Sequence, residues 1–348
     1  MQAQLRGGIG RSYANLLPLL ASEVELHLLT DARHAPLELA LPQSQLRTPI
    51  PGVSMSWLQI SAPWWLRNFD GVFHCPFYGL PMHMSPPGVV TLHDLTFEHH
   101  REWFSPVHGP SFRIQARRAA KTAGAILTVS EFIKRDIVAT YGVDPARILI
   151  APQGVDPVFR PGADPGPELH RLGVTRPYVL ALGGARRRNL SLAIEAWRLV
   201  KAVGDPLDMI VVGPEESASE AGLHWAGPVG DQAWAALLSG AQAFLYPTAF
   251  EGFGMPGLEA LGAGTPVVAT RTSALPEVLG DAAEWAESLD PEDLATALLR
   301  LLSDKQRAAR LRELGAAHAA SRPGWQEAAD AHVRAYRMAY LGSDPQCE

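Results

Sequence analysis

The stretch from Tyr246 to Thr270, YPTAFEGFGMPGLEALGAGTPVVAT, constrains the fold of this chain more than any other. The apolar run Ala243 to Tyr246 before it is typical of a buried strand. A glycine-containing loop follows, and Pro256 then lies near the first position of an apolar helical run, where its missing N–H has no partner to lose. Strand, glycine loop and helix in this order predict a parallel α/β unit with a ligand at the helix N-terminus.

The residues around that helix start indicate the kind of ligand. Backbone N–H groups and the positive end of the helix dipole attract a phosphate, and glycine lets the phosphate approach closely. Glu251 and Glu259 lie on either side and would repel a phosphate, so they are better suited to accept hydrogen bonds from hydroxyls. A nucleotide-sugar pocket is therefore predicted. Its donor-binding residues in this stretch are Phe253, Gly254, Met255, Pro256 and Glu259.

The pattern Glu251, seven residues, Glu259, inside EGFGMPGLEALGAGTPVV, resembles the signature of the retaining glycosyltransferases of family four, also described as glycosyl transferases of group 1. These enzymes have the GT-B fold. The resemblance implies that Glu251 faces the donor sugar and acts in catalysis, and that Glu259 holds the ribose. The alternative is that Glu251 caps a helix and Glu259 lies in solvent.

A second motif, GGARRRNL, follows the predicted strand Tyr178 to Leu182. Three guanidinium groups beside a glycine turn and a helix N-terminus form an anion site. Members of the family that the chain resembles show Arg-Lys-Asn-Leu here, which implies that Arg188 stands for the lysine. We expect Arg187 and Arg188 to stabilise the departing diphosphate, although the shorter loop leaves open which arginine reaches it. A solvated basic turn is the alternative.

In the first half, polar residues follow predicted strands. His93 and Asp94 come after Val89 to Leu92, where parallel sheets bind ligands, and Asp94 can orient the imidazole. The pair resembles the acceptor-domain motif of family four, which implies that His93 faces the donor sugar and acts in catalysis. A structural histidine is the alternative. Ser130 follows the next strand, where helix capping and acceptor contact are compatible roles. Asp94 and Ser130 are our acceptor-side candidates.

The chain starts with a glycine loop, Gly7, Gly8 and Gly10, before a helix predicted from about Arg11 to Ala21. Such a loop normally follows a strand, and only Gln2 to Leu5 are available for one, so the first strand is expected to be short or missing. The family resemblance assigns Gly8 and Gly10 to the donor. Domain closure is expected to bring this loop and His93 over the sugar.

Two further features of the first half leave alternatives open. Val24 to Leu29 predicts a strand, and the cluster Trp57, Trp64 and Trp65 suits core packing or stacking on a sugar acceptor. A predicted helix carries basic residues on one face. It is either solvated or, as in some relatives of the resembled family, a membrane-docking face. These basic residues are Arg113, Arg117, Arg118 and Lys121.

The length of 348 residues suits two domains. The proline- and glycine-rich stretch Pro152 to Gly173 predicts the linker between them. We therefore predict an α/β protein of two Rossmann-like doubly wound domains facing across a cleft. The expected boundaries are residues 1–158 for the acceptor side and 159–325 for the nucleotide-sugar side, with a C-terminal helix, 326–342, crossing back to the first domain.

Composition excludes several other classes. A net charge of −6 argues against a nucleic-acid partner, and two cysteines cannot form a disulfide framework. Without an apolar run long enough to span a membrane or a visible signal peptide, we expect a cytoplasmic protein with at most peripheral association at the inner membrane face. No Cys/His cluster, Asp-x-Asp pair or pyridoxal-type lysine is visible, so neither a metal nor a cofactor is predicted.

The combined prediction is a metal-independent retaining glycosyltransferase. It moves a hexosyl unit from a nucleoside diphosphate sugar to a hydroxyl acceptor, a glycan or a lipid-linked saccharide. The stretch HDLTFEHH favours mannose. Two alternatives remain at this point: a nucleotide-sugar epimerase of the same fold, and a catalytically silent subunit that binds nucleotide sugars.

Overall fold

Short, largely apolar strands form one larger parallel sheet in each half of the chain, and the central strands of both sheets are almost wholly buried. The computed structural model describes residues 8–31, 47–48, 57–204, 206–214 and 220–342. The chain divides into a first unit, Met1–Gly154 with Pro323–Glu348, and a second unit, Val155–Arg322.

The first unit is built on the four-stranded parallel sheet β3-β4-β5-β6, with a separate two-residue parallel pair, β1-β2. Its strands are β1 (Thr30–Asp31), β2 (Arg47–Thr48), β3 (Phe73–Cys75), β4 (Gly88–Thr91), β5 (Ala125–Thr128) and β6 (Ile148–Ile150). Its helices up to this point are α1 (Gly8–Glu23), α2 (Ala62–Leu66), α3 (Thr96–His99), α4 (His108–Thr122) and α5 (Glu131–Tyr141), and a π-helical turn, Trp57–Ser61, precedes α2.

The second unit is built on a six-stranded parallel sheet in the order β12-β11-β10-β7-β8-β9. Its strands are β7 (Tyr178–Leu182), β8 (Asp208–Val212), β9 (Leu223–Gly227), β10 (Ala243–Tyr246), β11 (Val267–Thr270) and β12 (Ala283–Ala286). Its helices are α6 (Gly166–Leu172), α7 (Leu190–Ala202), α8 (Asp231–Gly240), α9 (Met255–Gly262), α10 (Leu275–Leu279), α11 (Pro291–Ser303) and α12 (Lys305–Ser321). The strand order reverses between β7 and β10, which is the point where open parallel sheets bind their ligands.

The last helix, α13 (Trp325–Leu341), belongs to the first unit, as predicted for a C-terminal helix that crosses back. It packs against α1 and the strands β4 to β6 through a face rich in alanine. The fit is close: a Cβ added to Gly124 would lie 2.8 Å from Cα of Ala339. A parallel sheet needs helices on both faces, and α13 supplies part of that cover.

Two local predictions were wrong, and a third was right only in part. Val24–Leu29 forms no strand. It lines a cavity of about 1050 Å³ that β3 also lines. Helix α1 starts at Gly8, three residues before the predicted Arg11, so Gly8 and Gly10 lie in its first turn and not in a loop. The predicted linker Pro152–Gly173 contains the boundary between the units, after Gly154, but it also contains helix α6, whose C-cap Gly173 has a φ of +69°. Gly7 and the predicted strand Gln2 to Leu5 lie outside the described residues.

Candidate active site

Two loops at the carboxyl ends of β7 and β10 form the candidate site of the second unit. The first loop runs from Gly183 through a 3₁₀ turn, Arg186–Arg188, to the start of α7. Asn189 adopts a left-handed conformation, with a φ of +48°, and its side-chain amide donates to the carbonyl of Pro247 at 2.8 Å. A side chain on the first loop therefore holds the start of the second loop.

The second loop also hydrogen-bonds the first one at Arg187. The backbone N–H of Ala249 and the hydroxyl of Thr248 donate to the carbonyl of Arg187 at 2.7 and 3.0 Å. Two bonds to one carbonyl fix the backbone from which the Arg187 side chain extends. The loops that carry the predicted arginines and the predicted Glu251 thus form one hydrogen-bonded structure.

Arg187 and Glu251 form an ion pair at the centre of these loops. The guanidinium donates from Nε to Oε1 at 3.2 Å and from Nη2 to Oε2 at 3.4 Å. The carboxylate is buried, whereas about a third of the Arg187 side chain, 32%, is exposed. The alternative of a capping Glu251 is wrong, because Gly254 is the N-cap of α9 and no side chain caps this helix.

Glu259 is the second buried carboxylate of the site, only 1% exposed, so the alternative of a solvated Glu259 is also wrong. Its Oε2 accepts a hydrogen bond from the indole Nε1 of Trp234 on α8 at 2.9 Å. The indole fixes the orientation of the carboxylate. A carboxylate oxygen can accept more than one hydrogen bond, so capacity remains for a ligand hydroxyl.

Arg188 differs from Arg187 in its partners. Its Nη1 donates to the carbonyl of Gly183 at 2.6 Å, so the side chain folds back onto its own loop. Its Nε is buried, and no hydrogen-bond acceptor for it occurs among the described residues. A buried donor without an acceptor is costly, and an incoming anionic oxygen would satisfy it.

The backbone N–H groups at the start of α9 differ in whether they are already hydrogen-bonded. Gly257 and Leu258 both donate their N–H groups to the carbonyl of Gly254, and Pro256 has no N–H. Within the described part of the chain, the N–H groups of Gly254 and Met255 take part in no hydrogen bond. These two N–H groups are the ones that α9 can offer to an anion.

Glycine is required at position 254. Its φ is +98°, and a Cβ added there would lie 2.5 Å from Cδ2 of Leu275. The neighbouring Phe253 is buried, with the guanidinium of Arg322 at 6.0 Å from its ring centroid. The side chain of Phe253, a residue predicted to bind the donor, therefore packs within the unit. A contact with the donor would involve its backbone.

In the first unit, His93 follows β4 and is buried. It bonds the backbone carbonyl of Pro76, and its Nε2 has no hydrogen-bond partner among the described residues. Burial lowers the pKa of His93 to about 4, although the nearby Asp94 opposes this shift. Because a carbonyl only accepts, Nδ1 carries the proton and Nε2 of the neutral ring is a hydrogen-bond acceptor.

Asp94 does not orient His93 by a hydrogen bond, contrary to our expectation. Its Oδ1 accepts from the backbone N–H of Thr96 at 2.9 Å and from the hydroxyl of Tyr78 at 3.5 Å. The carboxylate therefore stabilises the turn into α3. The carbonyl of Pro76 is the group that orients the imidazole.

The remaining predicted residues of the first unit occupy helix starts. Ser130 caps α5, as predicted, by accepting from the N–H of Ile133 at 3.2 Å, and its side chain is fully buried. Gly8 is exposed, and a Cβ added to it meets no heavy atom within 4 Å. Gly10 is buried in the same turn of α1.

The basic residues of helix α4 differ in exposure: Arg117 and Lys121 are exposed, as predicted for a solvated face, whereas Arg113 and Arg118 are partly buried. Arg118 donates to the carbonyls of Leu80, Pro81 and Met82 at 2.8–3.1 Å. Arg113 donates to Phe97, and Arg117 lies 3.6 Å from the carboxylate of Glu98. Arg113 and Arg118 thus bind neighbouring segments of the same unit, and membrane docking through this helix stays a prediction.

The tryptophan cluster is divided. Trp57 and Trp65 line the apolar cavity of the first unit, whereas Trp64 is 53% exposed and lies under the guanidinium of Arg67.

Among the described residues, no helix combines the length and the apolar character needed to cross a bilayer.

Several residues that shape the site were not identified from the sequence. Trp234 holds Glu259, and the hydroxyl of Ser273 accepts from the N–H of Glu251 at 2.8 Å. The hydroxyls of Thr270 and Thr272 both donate to the carbonyl of Thr248. Ser273 has a left-handed φ of +49°, which marks a constrained position. The sequence around it does not predict this conformation.

Two family profiles match this chain. The profile described as Glycosyltransferase Family 4 matches residues 6–159, and the one described as Glycosyl transferases group 1 matches residues 176–304. The chain belongs to this glycosyltransferase family. It is accordingly a glycosyltransferase, an enzyme that transfers a sugar from a nucleotide sugar.

Two relatives of this chain are named as mannosyltransferases. The chain is 27% identical to O-antigen chain mannosyltransferase B of Escherichia coli over 301 residues, which is 79% of this chain and 76% of the relative. It is 31% identical to the MMP alpha-(1->4)-mannosyltransferase of Mycolicibacterium hassiacum over 255 residues, 69% of this chain and 58% of that enzyme.

Solved structures share the fold over nearly the whole chain. The sucrose-phosphate synthase of Thermosynechococcus elongatus superposes with a TM-score of 0.74 at 17% identity, covering 96% of this chain and 94% of that one. WaaG, a glycosyltransferase involved in lipopolysaccharide biosynthesis, gives a TM-score of 0.72 at 17% identity, with 95% and 96% covered. The fold class of two Rossmann-like units is confirmed.

Proposed function

We propose that this chain is a retaining hexosyltransferase that uses a nucleoside diphosphate sugar, with mannose as the favoured sugar, and a hydroxyl acceptor. The observation that carries the proposal is the ion pair between Arg187 and Glu251 at the strand-order reversal of the second unit. A fixed cation and a fixed carboxylate, side by side, match a ligand that joins a diphosphate to a sugar.

The diphosphate has three kinds of donor at this place. The buried Nε of Arg188 lacks an acceptor, and the N–H groups of Gly254 and Met255 point from the start of α9. The partly exposed Arg187 supplies a second positive charge. As the bond between the sugar C1 and the diphosphate oxygen breaks, negative charge develops on the diphosphate, and these groups stabilise it.

The carboxylates act on hydroxyl groups in this proposal. Glu259, held by Trp234, accepts hydrogen bonds from the ribose, and Glu251 accepts from the donor sugar. His93 is neutral at pH 7, so its bare Nε2 accepts a hydrogen bond from a sugar hydroxyl and does not serve as an acid. Gly8 and Gly10 are proposed to approach the donor with their backbone.

Two relatives named as mannosyltransferases support mannose as the sugar. The acceptor is proposed to be a glycan or a lipid-linked saccharide, with Asp94 and Ser130 on its side. Asp94 contributes through the turn that it stabilises, because its Oδ1 is engaged by Thr96 and Tyr78. Neither a metal nor a cofactor is included in the proposal.

Thermal denaturation with a panel of nucleotides and nucleotide sugars tests the donor site. A ligand that binds only the folded state raises the midpoint of unfolding by mass action. At a ligand concentration of a hundred times the Kd, the stabilisation is about 2.7 kcal/mol. We expect one diphosphate nucleotide to shift the wild type and to have little effect on Glu259→Gln. The matched control is Glu284→Gln, a buried carboxylate of the same unit that pairs with Arg300 and Arg307. No shift with any nucleotide would overturn the proposal.

Product analysis tests the reaction itself. With the donor identified, proton NMR of the product gives the anomeric configuration, and an α-linked donor is expected to give an α-linked product. Formation of an epimerised nucleotide sugar without an acceptor would indicate an epimerase instead. Donor binding with no turnover across a panel of glycan and lipid-linked acceptors would favour a silent subunit.

A further inference from the structure

A ring of aromatic side chains surrounds Tyr13 on helix α1 in the first unit. The Tyr13 ring lies 6.0 Å from the rings of His74 and His332, and 6.5 Å from the ring of His93, edge to face, between centroids. Tyr13, His93 and His332 are buried. These residues come from four elements, so Tyr13 joins α1, β3, the end of β4 and α13 at one point.

The hydroxyl group of Tyr13 belongs to a chain of hydrogen bonds. Tyr336 Oη lies 2.9 Å from His74 Nδ1, and His74 Nε2 lies 2.8 Å from the hydroxyl of Thr91. That hydroxyl lies 3.1 Å from Tyr13 Oη, which in turn lies 3.5 Å from His332 Nε2 and also 3.5 Å from His74 Nε2. His332 Nδ1 lies 2.7 Å from the carbonyl of Ala328.

The last contact gives the chain a direction. A carbonyl only accepts, so His332 Nδ1 carries the proton and Nε2 of the neutral ring accepts from the hydroxyl of Tyr13. Tyr13 Oη then accepts from Thr91, the Thr91 oxygen accepts from His74 Nε2, and His74 Nδ1 accepts from Tyr336. Each hydroxyl and each ring N–H donates once.

The direction requires neutral histidines. Burial lowers the pKa of His332 to about 4 and the pKa of His74 well below its usual value, so both rings are neutral near pH 7. Protonated His332 would present an N–H to the Tyr13 hydroxyl and reverse the last step. The arrangement is therefore the one expected at neutral pH.

We propose that Tyr13 is a positioning residue for His93, held in place through its hydroxyl by Thr91 on β4 and His332 on α13. The ring of Tyr13 packs against His93, whose imidazole bonds the Pro76 carbonyl through Nδ1 and has no partner at Nε2 among the described residues. With its hydroxyl fixed, the Tyr13 ring limits the tilt of the imidazole and so sets where Nε2 points. This inference rests on the proposed role of His93 toward the donor sugar.

The test uses variants that each remove one hydroxyl and keep the side-chain shape. Tyr13→Phe and Thr91→Val break the chain on either side of the Tyr13–Thr91 contact. The matched control is Tyr340→Phe on α13, the helix that also carries His332. The hydroxyl of Tyr340 donates to Asp70 at 3.2 Å and does not take part in the series of hydrogen bonds around Tyr13. We expect the two test variants to lower kcat roughly ten- to hundredfold, with the KM for the donor changed less than twofold, because a misplaced His93 disturbs the alignment of the reacting sugar more than it weakens donor binding.

A spectroscopic readout separates this inference from the proposed function. At pH 7.5 and without substrate, the imidazole resonances of His93, assigned by comparison with His93→Gln, should shift in Tyr13→Phe and Thr91→Val and stay unchanged in Tyr340→Phe. Unchanged His93 resonances in both test variants would overturn the positioning role even if the enzyme is active. A shift in a protein that transfers no sugar would leave the positioning role standing and reject the function.

A measurement on the wild type covers the case in which a variant does not fold. Long-range ¹⁵N–¹H correlations report which imidazole nitrogen carries the proton. We expect Nδ1 of His332 protonated and Nε2 bare at pH 7.5. A proton on Nε2 would contradict the direction of the chain and overturn the proposal.

Discussion

The two site carboxylates of the second unit are buried but have different partners. Glu251 faces the positive Arg187, and Glu259 faces the neutral indole of Trp234. A charged partner compensates a buried carboxylate more fully than a neutral one does. Removing the charge of one of these carboxylates should therefore change the free energy of unfolding and the activity by different amounts.

Glu251→Gln keeps the size of the side chain and removes its charge. Because Arg187 is 32% exposed and can turn to water, we expect the free energy of unfolding to fall by only about 1 kcal/mol. We expect kcat to fall about a hundredfold, the size seen when one preorganised electrostatic group is lost from an active site. Urea denaturation and initial rates measure the two effects. Glu284→Gln is the control, and a Glu251→Gln enzyme with wild-type kcat would contradict the assignment.

The buried histidines make stability depend on pH. His93 and His332 have a pKa of about 4 in the folded chain, whereas an unfolded histidine has a pKa of about 6.5. Between these values the unfolded state binds more protons, so the free energy of unfolding falls as the pH is lowered from 6.5 toward 4. Each histidine contributes on the order of 3 kcal/mol to this fall, at 1.36 kcal/mol for each pKa unit.

We expect His332→Gln to reduce the slope of stability against pH in this window, because one of the groups that titrate there is gone. Chemical denaturation at pH 7.5, 6 and 5 would measure it, with the exposed His83→Gln as the control. An unchanged slope in His332→Gln would show that the ring is accessible to protons in the folded state.

At the scale of elements, the start of α9 depends on one glycine. Gly254 has a φ of +98°, and a Cβ there would meet Leu275 at 2.5 Å, so Gly254→Ala strains the backbone and displaces α10 or the loop. We expect a loss of about 1–3 kcal/mol of unfolding free energy and a weaker nucleotide-induced thermal shift. The control is Gly230→Ala, at a φ of −77° with no atom within 4 Å, for which less than about 1 kcal/mol is expected. Equal losses in both variants would contradict this account.

Elements near the site were predictable because their signals are local. Pro256, two residues after Gly254, marks the start of α9, and the apolar runs Tyr178–Leu182 and Ala243–Tyr246 mark the strands on either side of the strand-order reversal. Val24–Leu29 shows the limit of such signals. Its composition favours a strand, but a strand also needs a neighbour to pair with, and this segment lines a cavity instead.

The partners of the site residues were not predictable, because they are distant along the chain. Trp234 is 25 residues from Glu259, and Arg187 is 64 residues from Glu251. The family signature indicated which residues matter, but not what holds them. Asp94 illustrates the difference: its place beside His93 suggested a direct contact, whereas local turn geometry directs its carboxylate to Thr96.

For the whole molecule, the division into two units separates the predicted residues into two sets. The second unit, Val155–Arg322, contains Arg187, Arg188, Glu251 and Glu259, and the matched segment 176–304 lies within it. Its six-stranded sheet has its own core of buried apolar residues around Trp197. A unit with a complete sheet and its own core is expected to fold alone.

We therefore expect a fragment of residues 155–322 to unfold cooperatively and to keep the thermal shift caused by the diphosphate nucleotide. Scanning calorimetry of the fragment and of its Glu259→Gln variant measures both expectations. A folded fragment that no nucleotide stabilises, beside an intact chain that responds, would show that the first unit supplies part of the nucleotide site. The anion-binding role assigned to Arg188 and the start of α9 would then be insufficient.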